Sequence, residues 1–119
     1  MTLYFSIIIK MYNEFTLSVI NIIKKIPKGK VLSYGLVALL AGNPRGARGV
    51  SWILHSMTGK YKLPWWRVVN SKGIISLKTP EAKEHQKFML KKEGVTVSDD
   101  YRIDLNKYLW EIPDSVDRC

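Results

Sequence analysis

The chain has 119 residues and a mass of 13.7 kDa, the size of one ordinary domain that can bury its own core. Nineteen Lys and Arg against ten Asp and Glu give a formal charge of +9, which favours a polyanion such as nucleic acid as partner, although a merely soluble basic protein would carry the same charge. The single cysteine is the last residue, Cys119, so we expect no internal disulfide. The two histidines, His55 and His85, have no further ligands at metal-binding spacing, so we expect no metal. We also expect no cofactor.

The chain opens with an apolar, β-branched run, Thr2 to Ile9. This run is far too short to span a membrane and lacks the cationic start of a signal peptide, so we expect neither membrane insertion nor export. Residues 1 to 10 have two interpretations, an artefact of an upstream start or a short added strand, and the sequence leaves both open.

A first helix is predicted from Phe15, where apolar residues recur at near-helical spacing as far as Lys25. It is expected to end before Ile26-Pro27, because the residue before a proline disfavours helical backbone. Residues 28–30, Lys-Gly-Lys, are predicted to form a turn.

Two further helices follow at short spacing. Ser33 can cap the second helix, and Gly42, which has no Cβ, suits a left-handed cap at its end. Asn43 can cap and Pro44 can begin the third helix, predicted from about Arg45 to Met57. The Gly-Asn-Pro connection between them indicates a helix-turn-helix unit.

The second half of the chain has weaker signals. It is interpreted as a loop at 59–64, an extended or irregular segment at 65–70 and a turn at 71–73. Thr79 caps and Pro80 begins a predicted helix that continues to Glu93 and stops at Gly94. Alternating Tyr101, Ile103 and Leu105 then indicate a strand, and residues 107–110 are a predicted packing anchor.

Five ordered motifs carry a family resemblance. Four of them are IPKGKV (26–31), SYG (33–35), AGNP (41–44) and AR (47–48). In this order and spacing they resemble the DNA-binding domain of O6-alkylguanine-DNA alkyltransferases. The family's next motif is Pro-Cys-His-Arg-Val, whereas this chain has Pro64-Trp65-Trp66-Arg67-Val68. Tryptophan in place of the alkyl-accepting cysteine is similar to the non-transferring branch, the alkyltransferase-like proteins.

The resemblance covers roughly residues 11–113 and implies a fold. We expect an α/β, mainly α, single winged helix-turn-helix-like domain, as in the C-terminal DNA-binding domain of the alkyltransferases, with a small strand pairing behind it. Residues 114–119 are expected to be a flexible tail.

Trp65 decides the expected chemistry. Indole is neither a nucleophile nor a proton acceptor, so we expect no catalytic residue and no enzyme activity. Its flat apolar face and its N–H donor suit contact with an alkylated base, and core packing is the plainer alternative. The resemblance favours a lesion pocket, for which the candidates are Trp65, Trp66, Arg67, Val68, Ser76 and Lys78.

The resemblance also implies a base-flipping helix. Relatives insert an arginine at the position of Arg48 into the base stack and press a tyrosine at the position of Tyr34 on the target phosphate. An ordinary solvated or phosphate-binding Arg48 and a half-buried Tyr34 are the plainer alternatives. The DNA-contact candidates are Ser33, Tyr34, Ala47, Arg48, Gly49 and Ser51.

The small residues around Arg48 indicate a close approach. Gly46 and Gly49 are unfavourable in a helix, so we interpret them as positions where the backbone comes close to DNA in the minor groove. Trp52 is predicted to pack on the inner face of the same helix.

The expected function is recognition of O6-alkylguanine in double-stranded DNA by nucleotide flipping, without transfer. The resemblance implies nucleotide excision repair proteins as partners, and we expect a monomer that is cytoplasmic and nucleoid-associated, or nuclear in a eukaryote. One alternative is a generic helix-turn-helix regulator, which would present polar side chains to the major groove. Another is a methyltransferase with a different nucleophile, for which no activating base is evident.

Overall fold

The computed structural model describes residues 2–112, with side chains described from residue 14 onward. The predicted tail, 114–119, and Cys119 lie outside the described residues. The elements in chain order are α1 (Thr2–Lys25), β1 (Leu32–Ser33), α2 (Tyr34–Leu40), α3 (Ala47–Tyr61), a 3-10 turn (Trp65–Arg67), β2 (Val68–Val69), α4 (Pro80–Lys92) and α5 (Leu105–Tyr108). This mainly helical arrangement with one small sheet confirms the predicted fold class.

The sheet joins the two halves of the chain. β1 and β2 are parallel, with Leu32 opposite Val68 and Ser33 opposite Val69. On the other side of this segment, the Val31 N–H donates to the Tyr108 carbonyl at 2.9 Å, and the Trp110 N–H donates to the Val31 carbonyl at 2.9 Å. The C-terminal segment is therefore bound beside β1, which confirms the predicted packing anchor.

Two hydrophobic clusters fill the interior. The first lies among α1, α2, α3 and the strands, and its fully buried members include Val19, Ile23, Leu32, Val37, Val50 and Val68. The second lies under α4 and the C-terminal segment, and it includes Val31, Val69, Ile75, Leu90, Val95 and Ile103. Because Leu32 and Val68 enter the first cluster while their chain neighbours Val31 and Val69 enter the second, the sheet separates the two clusters.

Helix ends follow the predicted local chemistry. The Ser33 hydroxyl accepts from the Leu36 N–H at 3.1 Å, and the Thr79 hydroxyl accepts from the Ala82 N–H at 3.1 Å. After α2 and α4, Gly42 and Gly94 take positive φ angles of 95° and 89°, the left-handed conformation that glycine adopts readily. The caps of α2 and α4 are therefore confirmed.

Residues 2–10 do not form the added strand that was one of their two interpretations. Their backbone is helical and continuous with α1. No proline or glycine occurs between Thr2 and Lys25, so nothing in the sequence interrupts the helix. No helix in the described part of the chain is long and apolar enough to cross a membrane.

The bounds of α3 differ from the prediction. Asn43 Oδ1 accepts from the Arg45 N–H at 3.1 Å, and the Asn43 carbonyl accepts from the Gly46 N–H at 2.9 Å. These bonds close a separate turn, so the helix begins at Ala47 and not at Arg45. It then continues to Tyr61 and ends at Lys62, which has a left-handed φ of 54°. The predicted loop at 59–64 is therefore helical over its first half.

The predicted C-terminal strand is also reduced. Only Arg102 pairs, in an isolated antiparallel bridge with Ile74. The Asp104 carboxylate accepts from the Asn106 N–H at 3.0 Å and caps α5, so Leu105 begins a helix and not the end of a strand.

Candidate nucleic-acid interface

The helix-turn-helix unit comprises α2, the turn at Ala41–Gly46 and α3. Ser33 precedes it and is 5% exposed, with its hydroxyl committed to the Leu36 N–H. The structure thus gives Ser33, a predicted DNA contact, the task of fixing where α2 begins. The turn at Gly42 then sets the angle at which α3 leaves α2.

Tyr34 is the first residue of α2 and is half-buried against the first hydrophobic cluster. Burial raises the pKa of the Tyr34 phenol, because the charged phenolate would lose solvation. The hydroxyl therefore stays neutral and able to donate a hydrogen bond at physiological pH.

The outward face of α3 carries a stripe of exposed residues, Arg48, Ser51, Trp52 and His55, which follow the helical spacing of i, i+3, i+4 and i+7. Val50, Ile53 and Leu54 are buried on the opposite face. Arg48, in the first turn, projects from the surface as the sequence predicts. Trp52 is 62% exposed, so the prediction that it packs on the inner face is wrong.

Gly46, which caps α3, and Gly49, in its first turn, are close to α1. A Cβ on Gly46 would lie 2.8 Å from the ring of Phe15, and one on Gly49 would lie 3.3 Å from the same ring. Phe15 belongs to α1 and packs against the first cluster. The close approach inferred for these glycines is therefore to Phe15. Ala47, between them, is partly buried.

Trp65 lies in the 3-10 turn before β2 and is partly buried against the first cluster. Its ring meets His85 of α4 edge-on, with centroids 5.3 Å apart, and Trp66 edge-on at 6.0 Å. Edge-to-face contacts at these distances are favourable. The three rings form an aromatic cluster that combines core packing with a partly open surface.

Glu93 holds this turn in place. One carboxylate oxygen, Oε2, accepts from the Trp66 indole N–H at 2.8 Å and from Arg67 Nη2 at 2.6 Å. The other, Oε1, accepts from Arg67 Nε at 3.0 Å and from the Gly29 N–H at 3.0 Å. Arg67 Nη1 also donates to the Ile26 carbonyl at 2.8 Å. A single carboxylate thus links the end of α4, the 3-10 turn and the loop before β1.

The charge of Glu93 is favoured by its partners. Burial alone would raise the pKa of this carboxyl, but the hydrogen bonds from Arg67, Gly29 and Trp66 and the nearby guanidinium charge outweigh burial and hold the pKa below its usual value. The side chains of Arg67 and Glu93 are only 15% and 7% exposed. The Arg67 guanidinium is therefore committed to a buried ion pair and not presented at the surface.

Other predicted pocket residues are separated by the fold. Val68 is 0% exposed in the first cluster, so it supports the turn from inside and cannot line an open pocket. Ser76 and Lys78 are both exposed in the segment between β2 and α4.

Three site residues were missed by the sequence analysis. His85 was considered only as a metal ligand and Glu93 only as the end of a helix. Gln86 is 1% exposed, and its amide donates to the carbonyls of Trp66 and Val68 at 3.0 Å each. A polar residue at an apolar position of α4 was the available signal for Gln86.

The chemistry available at Trp65 is binding. The one cysteine of the sequence is Cys119, so residues 64–68 supply indole rings and a paired guanidinium but no thiol. Among the described residues, no three His, Cys, Asp or Glu side chains are grouped so that they could hold a metal ion. The aromatic cluster can stack on a planar group and donate hydrogen bonds.

Comparisons with known proteins agree with this fold. The family model described as 6-O-methylguanine DNA methyltransferase, DNA binding domain, matches residues 14–95. A Vibrio parahaemolyticus relative named DNA base-flipping protein is 43% identical over 99 residues, which cover 83% of this chain and 98% of the relative. Alkyltransferase-like protein 1 of Schizosaccharomyces pombe is 36% identical over 104 residues, which cover 83% of this chain and 96% of the relative.

A solved structure extends the comparison. The crystal structure of S. pombe Atl1 in complex with damaged DNA containing O6-carboxymethylguanine matches with a TM-score of 0.77 at 33% identity, over 84% of this chain and 97% of the other. The fold that the resemblance implied is thereby confirmed.

Proposed function

Because the chain belongs to the family of 6-O-methylguanine DNA methyltransferase DNA-binding domains, we propose that it binds O6-alkylguanine in double-stranded DNA, flips the damaged nucleotide out of the stack and leaves the alkyl group in place. The observation that carries this proposal is Trp65, which lies beside two further aromatic rings at the position where the motif that this sequence resembles has its cysteine. Relatives named base-flipping and alkyltransferase-like proteins support it.

The extruded base stacks beside Trp65, with His85 at the far edge of the cluster. Extruding a base costs a few kcal/mol, which contacts in a pocket must offset. Ser76 and Lys78 are exposed and able to contribute polar contacts at the edge of the pocket. Arg67 acts indirectly, because its ion pair with Glu93 fixes the turn that carries Trp65.

Arg48 fills the space that the flipped nucleotide leaves. Its guanidinium is exposed on the outward stripe of α3, and a long planar cation can stack on neighbouring bases and donate to the orphaned partner base. Tyr34, whose hydroxyl stays protonated, donates to a phosphate beside the lesion. Ala47, Gly49 and Ser51 have small side chains around Arg48, so the first turns of α3 can come close to the minor groove; at Gly49 the lack of a side chain also leaves room for Phe15.

The outcome of binding is a marked site. Without a thiol at position 65 the lesion stays in the DNA, so its removal requires other proteins, and we assign this step to nucleotide excision repair. We propose that the protein acts as a monomer wherever DNA is held, in the nucleoid or the nucleus. The formal charge of +9 supplies sequence-independent attraction to the duplex during the search.

Binding of fluorescently labelled duplexes tests the proposal. Two duplexes that differ only in one O6-methylguanine are titrated at low and at moderate salt, because phosphate attraction weakens with salt and base recognition persists. We expect a preference for the lesion at both salt concentrations. Equal affinity for the two duplexes would contradict the proposal and leave a basic DNA-binding domain.

A further inference from the structure

Trp52 is exposed in a way that the proposed flipping mechanism does not require. At 62% exposure it is the most exposed of the large hydrophobic residues among residues 14–112, whose side chains the structure describes, ahead of Phe88 at 59%. Indole has the largest apolar surface of any side chain, so leaving it in water forgoes the stabilisation of burial. A surface that Trp52 contacts on binding would recover this stabilisation.

The position of Trp52 points to DNA as that surface. Four residues after Arg48, it lies about 40° away around α3 and about 6 Å further along the axis. Helical side chains lean toward the N-terminus, so the indole leans back toward the turn that carries Arg48. Since base pairs are stacked about 3.4 Å apart, an α3 helix that follows the groove places Trp52 roughly two base steps from Arg48.

The ring of Trp52 lies beside open space. It lines a groove of about 1060 Å³ between α1 and α3, together with Phe15 and Gly49. Its neighbours on the outward stripe, Arg48, Ser51 and His55, are hydrogen-bonding side chains, and the apolar side chains beside it, Phe15 and Ile53, lie on the groove side. A polar stripe with a single large ring fits the polar, curved wall of a nucleic-acid groove better than the apolar surface of a protein partner.

We propose that Trp52 is a second wedge, which enters the minor groove about two base steps from Arg48 and partly unstacks the step that it meets. This inference rests on the proposed function. Minor-groove proteins commonly insert apolar side chains between base pairs and kink the duplex in this way. Pyrimidine–purine steps unstack most easily, so insertion of Trp52 should favour lesions that have such a step nearby. Arg48 and Trp65 make no contact that would distinguish one flanking sequence from another.

The test compares Trp52→Ala and Trp52→Phe with Phe88→Ala, a matched control that removes a similarly exposed aromatic ring from α4. The duplexes carry O6-methylguanine and 2-aminopurine, a base whose fluorescence rises on unstacking, placed two base pairs to either side of the lesion. We expect the wild type and Phe88→Ala to raise this fluorescence on one side. Trp52→Ala should abolish the rise and weaken binding about five-fold to about one-hundred-fold, the range for losing one base–aromatic stack.

Further readouts separate the possible failures. Trp52→Phe should keep part of the fluorescence rise, because it keeps a ring, and a duplex with a TA step at the responding position should bind more tightly than one with a GC step. If the wild type prefers the lesion but Trp52→Ala matches Phe88→Ala in affinity and fluorescence, Trp52 does not insert between base pairs, and the proposed function stands. If the wild type shows no lesion preference, the proposed function fails and the wedge at a lesion fails with it.

Discussion

The indole N–H of Trp66 donates to Glu93 Oε2 at 2.8 Å, and the same carboxylate accepts hydrogen bonds from two nitrogens of Arg67. In the alkyltransferase motif that this chain resembles, histidine precedes the arginine and activates the thiol. In this chain Trp65 is not a nucleophile, and Trp66 uses its only hydrogen-bond donor, the indole N–H, to bond to Glu93. The bonds of Trp66 and Arg67 to Glu93 therefore fix the position of the turn that carries Trp65.

Substituting Glu93→Gln should lower the free energy of unfolding at neutral pH and make it depend less on pH in the acidic range. The pKa of Glu93 is lower in the folded protein than in the unfolded chain, where a Glu pKa is about 4.3. The ionised carboxylate therefore contributes its full stabilisation above the pKa of the unfolded chain, and this stabilisation is lost as the pH falls through the lower pKa of the folded protein. At pH 7 we expect a loss of about 1 to 3 kcal/mol in the free energy of unfolding, typical of hydrogen bonds to a charged group. Urea denaturation between pH 3 and pH 7, roughly the window in which carboxylates titrate, measures both effects.

The matched control for this series is Glu111→Gln, which removes an exposed carboxylate. It should leave the unfolding free energy and its pH dependence close to those of the wild type. A Glu93→Gln curve parallel to the wild type at every pH would show that the carboxylate charge does not hold the turn.

Substituting Trp65→Cys alone should not restore methyl transfer. The new thiol would have no activating histidine, because position 66 is tryptophan and the nearby carboxylate is occupied by Arg67. Intact-protein mass spectrometry after incubation with an O6-methylguanine duplex should find unmodified protein. Efficient methylation of the Trp65→Cys variant would show that transfer does not depend on a histidine at position 66. The double variant Trp65→Cys, Trp66→His, which adds that histidine, is assayed beside it for comparison.

Substituting Arg48→Ala should reduce lesion binding more than binding to undamaged DNA. If the guanidinium fills the vacated stack, its removal costs about 1 to 3 kcal/mol only where a base is extruded, a range typical of stacking contacts. Lys60→Ala, which removes another exposed cation of α3, serves as the control and should weaken both complexes alike. An equal loss on both duplexes for Arg48→Ala would reduce Arg48 to a phosphate contact.

Substituting Gly46→Ala should destabilise the domain by about 1 to 3 kcal/mol, because its Cβ would overlap the Phe15 ring. Gly59→Ala is the control in the same helix, since a Cβ there meets nothing within 4 Å. It should stabilise by about 1 kcal/mol through helix propensity. Thermal unfolding followed by circular dichroism distinguishes the two.

A second substitution tests the reason for the Gly46 effect. Combining Phe15→Leu with Gly46→Ala should cost less stability than the sum of the two single losses, because the shorter side chain frees the space that the new methyl group needs. Strictly additive losses in the double variant would show that the contact with Phe15 is not what requires glycine at position 46.

Local signals predicted much of the fold. The caps at Ser33 and Thr79 and the left-handed glycines at positions 42 and 94 act within a few residues, so their chemistry is visible in the sequence. The start of α3 was misplaced because Asn43 can cap either a helix or a separate turn, and only the observed bonds to Arg45 and Gly46 decide between them.

Long-range contacts were hidden from the sequence. Glu93 bonds to Gly29, 64 residues away, and to Trp66, 27 residues away, so nothing in its local context marks it as a site residue. A close approach to DNA was predicted at Gly46 and Gly49, and within the protein both glycines are close to Phe15, which lies on another helix. Sequence reasoning thus recognised the unusual residue and could not name its neighbour.

The measurement that tests the central claim most directly is the fate of the lesion in a stable complex. The protein in excess is incubated with a duplex that carries one O6-methylguanine, and the bound fraction is isolated and analysed by mass spectrometry of both the protein and the digested DNA. We predict bound DNA with its methyl group intact and protein of unchanged mass. Protein carrying the methyl group, or a bound fraction no richer in the lesion than the input, would contradict the account.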